Sequence, residues 1–166
     1  LSGRINVENV HYILNGERYD NIDCSELARK KVVSVRALGS REEVFEHMTV
    51  GENLMLPSLE KISFWDYIRS SRNIRKMILE ENHNLKDVKA EELGINERIQ
   101  MTLERWYIFN PLVLILFEPF ALCDVNGVDI VKKCVKKFSN NGTTVIIVST
   151  REEYVEDISD QIMHIG

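Results

Sequence analysis

Glu118 closes the apolar run Leu112–Phe117, with Pro119 after it and Asp124 a short step further on. A carboxylate just past a buried strand can orient a water or hold a metal ion. Such a run often carries an acidic pair, yet position 117 is phenylalanine and a single acid stands at the end. The plainer account of Glu118 is a solvated loop glutamate before a proline. A second apolar run, "TTVIIVST", ends on Ser149 and Thr150 and adds hydroxyls at the equivalent place. His11, His47, His83 and His164 are scattered without ligand spacing, so no metal site is expected. Cys24, Cys123 and Cys134 form no CxxC pair and read as reduced thiols of a cytosolic protein. Trp65 and Trp106 fall on apolar helix stripes, which suits packing; an exposed Trp65 would instead suggest a partner groove. Lys132, Lys133, Lys136 and Lys137 read as the solvated face of one helix.

Positioning these residues falls to an alternation of strands and helices. "LVLILF" is a continuous apolar strand of the kind covered on both faces, and "TTVIIVST" reads as a second buried strand. Between them "VDIVKKCVKKFSNNG" is an amphipathic helix closed near Gly142. "REEYVEDISD" reads as a short helix and "QIMHI" as a final strand. That order implies a right-handed parallel α/β sheet, with ligands beyond the C-terminal strand ends, where Glu118, Ser149 and Thr150 lie.

Upstream, the alternation around Asn15-Gly16 reads as short antiparallel strands joined by a hairpin turn. Asp23 and Glu26 mark a capping box on a short helix, and Val32–Ala37 is a β-branched strand. Thr49 and Glu52 form another capping box, on a helix that Pro57 stops. Leu59 to about Glu81 has a helical stripe, and so does Asn96–Phe109, which Pro111 ends.

With 166 residues the chain fits one domain with a real core. Apolar content of 44% and charged content of 28% are ordinary for a soluble protein. A net charge of −5 argues against general nucleic-acid or membrane-surface binding. The apolar runs are far shorter than the roughly 18 residues of a membrane span. The start "LSGRINVENV" has no signal-peptide character and no Met, so the chain reads as a piece of something longer.

The run from Leu114 to Asp124 resembles the Walker B strand and D-loop of the ATP-binding cassette (ABC) family, apolar residues followed by D-E-P-T-S-A-L-D. Glu118 matches the glutamate that polarises the attacking water, and Asp124 the D-loop aspartate that meets a partner cassette. Phe117 replaces the aspartate that supports magnesium. Phe45–Pro57 resembles the M-[ST]-V-x-E-N segment of sugar-import cassettes, and Arg105 and Pro111 keep the Arg-x5-Pro spacing before Walker B. "ISDQIMHIG" is similar to the closing S-D-R-I element, and "SGRINVEN" to the hairpin strand after the P-loop helix. The order matches over nearly the whole chain, best with the second, degenerate cassette of fused monosaccharide importers.

The departures carry equal weight. No G-x-x-x-x-G-K-[ST] run occurs in the sequence, so the backbone cradle and lysine that hold phosphates are missing. The signature motif L-S-G-G-x-[QE] becomes Leu93, Gly94, Ile95, Asn96 and Glu97, with Arg98 after it. Thr150 stands at the switch-histidine position, and the Q-loop region "VRALGSRE" has no glutamine.

The resemblance implies an incomplete P-loop NTPase-like α/β fold: a mainly parallel sheet flanked by helices, an N-terminal antiparallel region and a helical subdomain. The expected parts are about 1–40 for the hairpin strands and a core strand, about 41–110 for the helical subdomain, and about 111–166 for the Walker B-like strand, D-loop and C-terminal units. The function it implies is a degenerate nucleotide-binding domain of a sugar-import system. As this chain it is expected to need no cofactor, although the family uses ATP and magnesium, and Glu118 is vestigial. One alternative is a fragment of an ATP-hydrolysing subunit with an upstream P-loop, and another is a non-transport regulatory module. Implied partners are another cassette or a second copy, with possible strand exchange, and a membrane permease, but no nucleic acid. The implied place is the cytoplasm, peripheral to the inner face of the membrane. Without a P-loop unit, the sheet is expected to leave an unfilled slot with exposed apolar edges.

Overall fold

The computed structural model describes residues 12–14, 16–19, 24–56 and 88–165. Expectations for Ser2-Gly3, His11, Asn15, Asp23, the helix at Leu59–Glu81 with Trp65, and His83 fall outside these residues. Strands β1 (Tyr12–Leu14) and β2 (Glu17–Tyr19) pair antiparallel, as the hairpin reading requires, and Gly16 sits between them with a φ of +82°. Helix α1 (Cys24–Arg29) leads into β3 (Val32–Arg36).

Strands β3, β4 (Val113–Phe117) and β5 (Thr144–Val148) form a parallel sheet in that order. Register is continuous: Ser34 lies beside Ile115, which lies beside Ile146, and Arg36 beside Phe117, which lies beside Val148. Because side chains alternate along a strand, this register divides the sheet into two faces. Val33, Val35, Leu114, Leu116, Val145 and Ile147 point to one face. There they pack under helices α3 (Ile95–Phe109) and α4 (Val125–Asn140) through Ile99, Leu103, Val131, Val135 and Phe138. The opposite face has a small cluster of Leu27, Val32 and Ile115, with Val113 and Phe117 partly buried beside it.

The amphipathic stripes explain both helices. Ile99, Leu103 and Trp106 recur at helical spacing, and the chain leaves α3 through Asn110 in the left-handed region. Asp124 caps α4, and Gly142, at a φ of +84°, lies just past its end. Lys133 and Lys136 are exposed as expected. Their neighbours Lys132 and Lys137 instead bridge to Asp157 at 2.7 Å and Glu104 at 3.0 Å.

Residues 41–56 and 88–94 build a second cluster of Val44, Val50, Leu54, Ala90 and Leu93, which packs against Met101 of α3. Helix α2 (Val50–Met55) begins with the expected capping box, in which the Thr49 hydroxyl accepts from the Glu52 N–H and the Glu52 carboxylate accepts from the Thr49 N–H. Asn53 is fully buried and satisfied: its Oδ1 accepts from the Phe45 N–H at 2.9 Å, and its Nδ2 donates to the Phe45 carbonyl at 3.0 Å. The asparagine of the "MTVGEN" segment therefore fastens the turn before its own helix.

Three expectations are corrected. β5 is not a buried strand, since Thr144, Ile146 and Val148 are exposed on the face away from α3 and α4. Gln161–Ile165 is not a strand: it has no ladder partner among the described residues, and Ile162, Met163 and Ile165 lie exposed. The helix expected in "REEYVEDISD" shrinks to one 3-10 turn, Glu152–Tyr154, because its apolar residues Tyr154, Val155 and Ile158 dock onto the core as a loop.

Candidate functional site

Glu118 follows β4 in the left-handed region, with a φ of +46°. That conformation is uncommon for a residue with a Cβ and turns the chain sharply at the strand end. Its N–H donates to the Val148 carbonyl at 2.7 Å, which locks the turn onto the end of β5. The carboxylate turns the same way. Oε1 accepts from the Thr150 N–H at 2.8 Å, and Oε2 lies 3.4 Å from the Thr150 hydroxyl and 3.5 Å from that of Ser149. The structure thus brings together Glu118 and Thr150, and the glutamate ties the loops after β4 and β5.

Phe117 lies on the thin face of the sheet, half-buried, and the Arg36 guanidinium carbon sits 5.7 Å from its ring centroid. A cation therefore stands beside the end of β4. Sequence reasoning missed Arg36; its signal was the charged residue ending the β-branched run "VVSVR".

The second group forms where α3 and α4 begin. Asp124 Oδ1 accepts from the Gly127 N–H at 2.7 Å, and both carboxylate oxygens accept from Asn96 Nδ2 at 3.1 Å. Its carboxyl is held below the usual carboxylate range, chiefly by the Gly127 N–H and next by Asn96. A Cβ on Gly127 would meet Asn96 Oδ1 at 2.8 Å, so the glycine allows this close approach. Before Asn96, Leu93 is buried, and Gly94 donates its N–H to Glu97 Oε2 at 2.8 Å, with Ile95 opening the helix. Arg98, which follows that stretch, donates its Nε to the Gly39 carbonyl at 3.0 Å and its Nη1 to the Leu93 carbonyl at 3.1 Å, linking α3 to the loop after β3.

The two groups stay separate, one holding Glu118 to Thr150 and the other Asp124 to Asn96. Phe120 anchors the loop between them: it is fully buried, with its ring 5.3 Å from that of Tyr154. Burial, then the charge of Asp124, pushes the Cys123 thiol up to about 11, and its Sγ lies 3.3 Å from the Pro119 carbonyl. Arg105 is buried and donates to the Glu43 carbonyl at 2.6 Å, a structural tie. Among the described residues no three His, Cys, Asp or Glu side chains converge on a metal-sized site, and no helix is long and apolar enough to cross a membrane.

No family model matches the chain. Among solved structures it is similar to a nucleotide-free ATP-binding cassette from an ABC transporter, with a TM-score of 0.74 and 20% identity over 96% of this chain and 66% of that one. It is also similar to cbiO1 from Clostridium perfringens, part of the ABC transporter complex cbiONQ, with a TM-score of 0.77 and 20% identity over 96% and 63% of the chains. Curated relatives add sequence likeness at higher identity. The ribose import ATP-binding protein RbsA of Geobacillus kaustophilus is 30% identical over 122 residues, 70% of this chain and 24% of the relative. The chain is similar to sugar-import ATP-binding proteins in sequence and to ATP-binding cassettes in fold. The xylose import ATP-binding protein XylG of Escherichia coli is 26% identical over 161 residues, 92% of this chain and 31% of the relative. Both are sugar-import cassettes, and this chain spans between 24% and 31% of their length.

Cassettes use ATP with magnesium, and the donor set at the end of β4 does not fit that metal. A phenyl ring offers no oxygen to a metal-bound water. Arg36 adds a positive charge beside Phe117 that would repel a divalent ion.

Proposed function

We propose that this chain is a degenerate nucleotide-binding domain of a sugar-import system, one that does not hydrolyse ATP and acts as a structural or regulatory partner. The end of β4 carries this reading. There Phe117 stands in place of the metal-supporting acid, and the Glu118 carboxylate accepts from the Thr150 N–H. Hydrolysis needs phosphate cradling, metal placement and water positioning together. The strand end lacks the metal donor.

Its partners in this reading are an active cassette or a second copy, and a membrane permease met through the segment of about Val44 to Asn84. Its place is the cytoplasm, at the inner face of the membrane. Asp124 would serve the D-loop and the segment Leu93–Glu97 the altered signature, now joined within one chain by Asn96.

A second reading rests on length. The relatives are named as import ATP-binding proteins, and this chain spans 24% and 31% of the two named. In that reading it is part of an ATP-hydrolysing subunit whose P-loop lies upstream.

Phosphate release from MgATP by this chain tests the first reading. The expected result is a background rate, identical for the native chain and Glu118→Gln. A native rate clearly above that of Glu118→Gln overturns the proposal, because it would assign the carboxylate to water activation.

A further inference from the structure

Among the described residues two asparagines are followed by glycine, one at each end of α4: Asn126-Gly127 and Asn141-Gly142. In such a pair the glycine nitrogen can attack Cγ of the asparagine side chain, a reaction within one chain that needs only the right geometry. The Cγ–Nδ2 bond breaks, ammonia leaves with the proton the nitrogen gives up, and a cyclic imide remains. Water then opens the imide at either carbonyl, giving aspartate or isoaspartate. Glycine favours ring closure because it has no Cβ to restrict the backbone.

The structure sets the two pairs apart. Asn126 is exposed, but it lies in the first turn of α4, and Gly127 is buried with its N–H donated to Asp124 Oδ1 at 2.7 Å. Ring closure there would break the helix cap. Asn141 and Gly142 are both exposed at the other end, and no heavy atom lies within 4 Å of the place a Cβ on Gly142 would take. Attack at Asn141 requires its ψ to turn from 7° and the Gly142 N–H to leave the Ser139 carbonyl, 2.9 Å away. Helix ends open locally without unfolding the rest. One contact restrains the amide itself: Asn141 Nδ2 donates to Oδ1 of Asn110, the residue that ends α3. We propose that Asn141 is a self-modification site, converted through the imide formed with the Gly142 nitrogen, and that Asn110 is the brake on the reaction.

Either product changes the junction. The new carboxylate cannot donate to Asn110 Oδ1, and it places a negative charge at the C-terminal end of α4, where the helix dipole opposes it. Isoaspartate also lengthens the main chain by one methylene just before β5. The entry of that strand is fixed by the Thr143 hydroxyl on the Pro111 carbonyl at 2.9 Å and the Thr144 N–H on the Leu112 carbonyl at 2.9 Å. Conversion therefore loosens the ends of α3 and α4 together.

Incubation of the folded chain in mildly alkaline buffer, followed by peptide mass spectrometry with fragmentation, tests this. Conversion at Asn141 should outpace that at Asn126 by about tenfold or more, because local opening precedes global unfolding. In urea the two sites should convert at similar rates. Asn110→Gly keeps the left-handed conformation and removes the acceptor, so it should speed Asn141 several-fold and leave Asn126 unchanged. No conversion at Asn141, or equal conversion at the two sites of the folded chain, overturns the site. An unchanged Asn141 rate in Asn110→Gly overturns the brake. A variant that speeds both sites alike has lost its fold, and Asn110→Ser, which shortens the side chain away from Asn141, then takes its place under the same criteria.

Discussion

The two faces of the β3-β4-β5 sheet share one backbone and one register, yet they are built to different depths. Leu114 and Leu116 lie under α3 and α4, together with Val131, Val135 and Phe138. On the other side α1 reaches Val32 and Ile115 through Leu27, and cover runs out across β5, where Ile146 and Val148 meet solvent. Full burial of such a side chain contributes about 1.5–3 kcal/mol, which β5 forgoes on this face. Phe117, at the end of β4, stands on this thinner face.

Stability variants can break this contrast or sharpen it. The largest effect belongs to Leu116→Ala, which opens a cavity between the sheet and two helices and should cost about 3 kcal/mol by urea denaturation. Asp124→Ala comes next, since it removes the α4 cap and the link to Asn96 together. Its effect should depend on pH with a defined sign. The Asp124 carboxyl titrates below its unfolded value, so its stabilisation is present above the ordinary carboxylate range and lost as pH falls through the folded value. The gap between native chain and variant should therefore be wide at about pH 7 and close towards about pH 2. Were the gap to widen on acidification, the capping role of Asp124 would be wrong. Ile146→Ala should have the smallest effect on the folded monomer, under about 1 kcal/mol. A loss equal to that of Leu116→Ala would mean that the thin face is covered after all.

Much of the filled face was legible in the sequence, because its signals are local. The apolar stripe of α3, the closing glycine of α4, and the Thr49–Glu52 box all lie within a few residues of what they determine. The thin face was misread for a physical reason. An apolar run such as "TVIIV" reports what a strand could bury on both sides, and not whether a layer is present to bury it. "QIMHI" failed in the same way, since strand propensity without a ladder partner leaves extended, exposed chain. At the candidate site, residue types were visible but their pairings were not. Asn96 and Asp124 are 28 residues apart, and Glu118 and Thr150 are 32 apart. Nothing local announces either contact. The left-handed turn at Glu118 was equally hidden, because glutamate carries no preference for it.

The central claim concerns what the end of β4 can hold, and calorimetric titration of the chain with MgATP addresses it most directly. With Phe117 beside Arg36 and Glu118 engaged by Thr150, the heats should show weak binding or none. Saturable binding at micromolar MgATP, lost when EDTA removes the metal, would contradict the account.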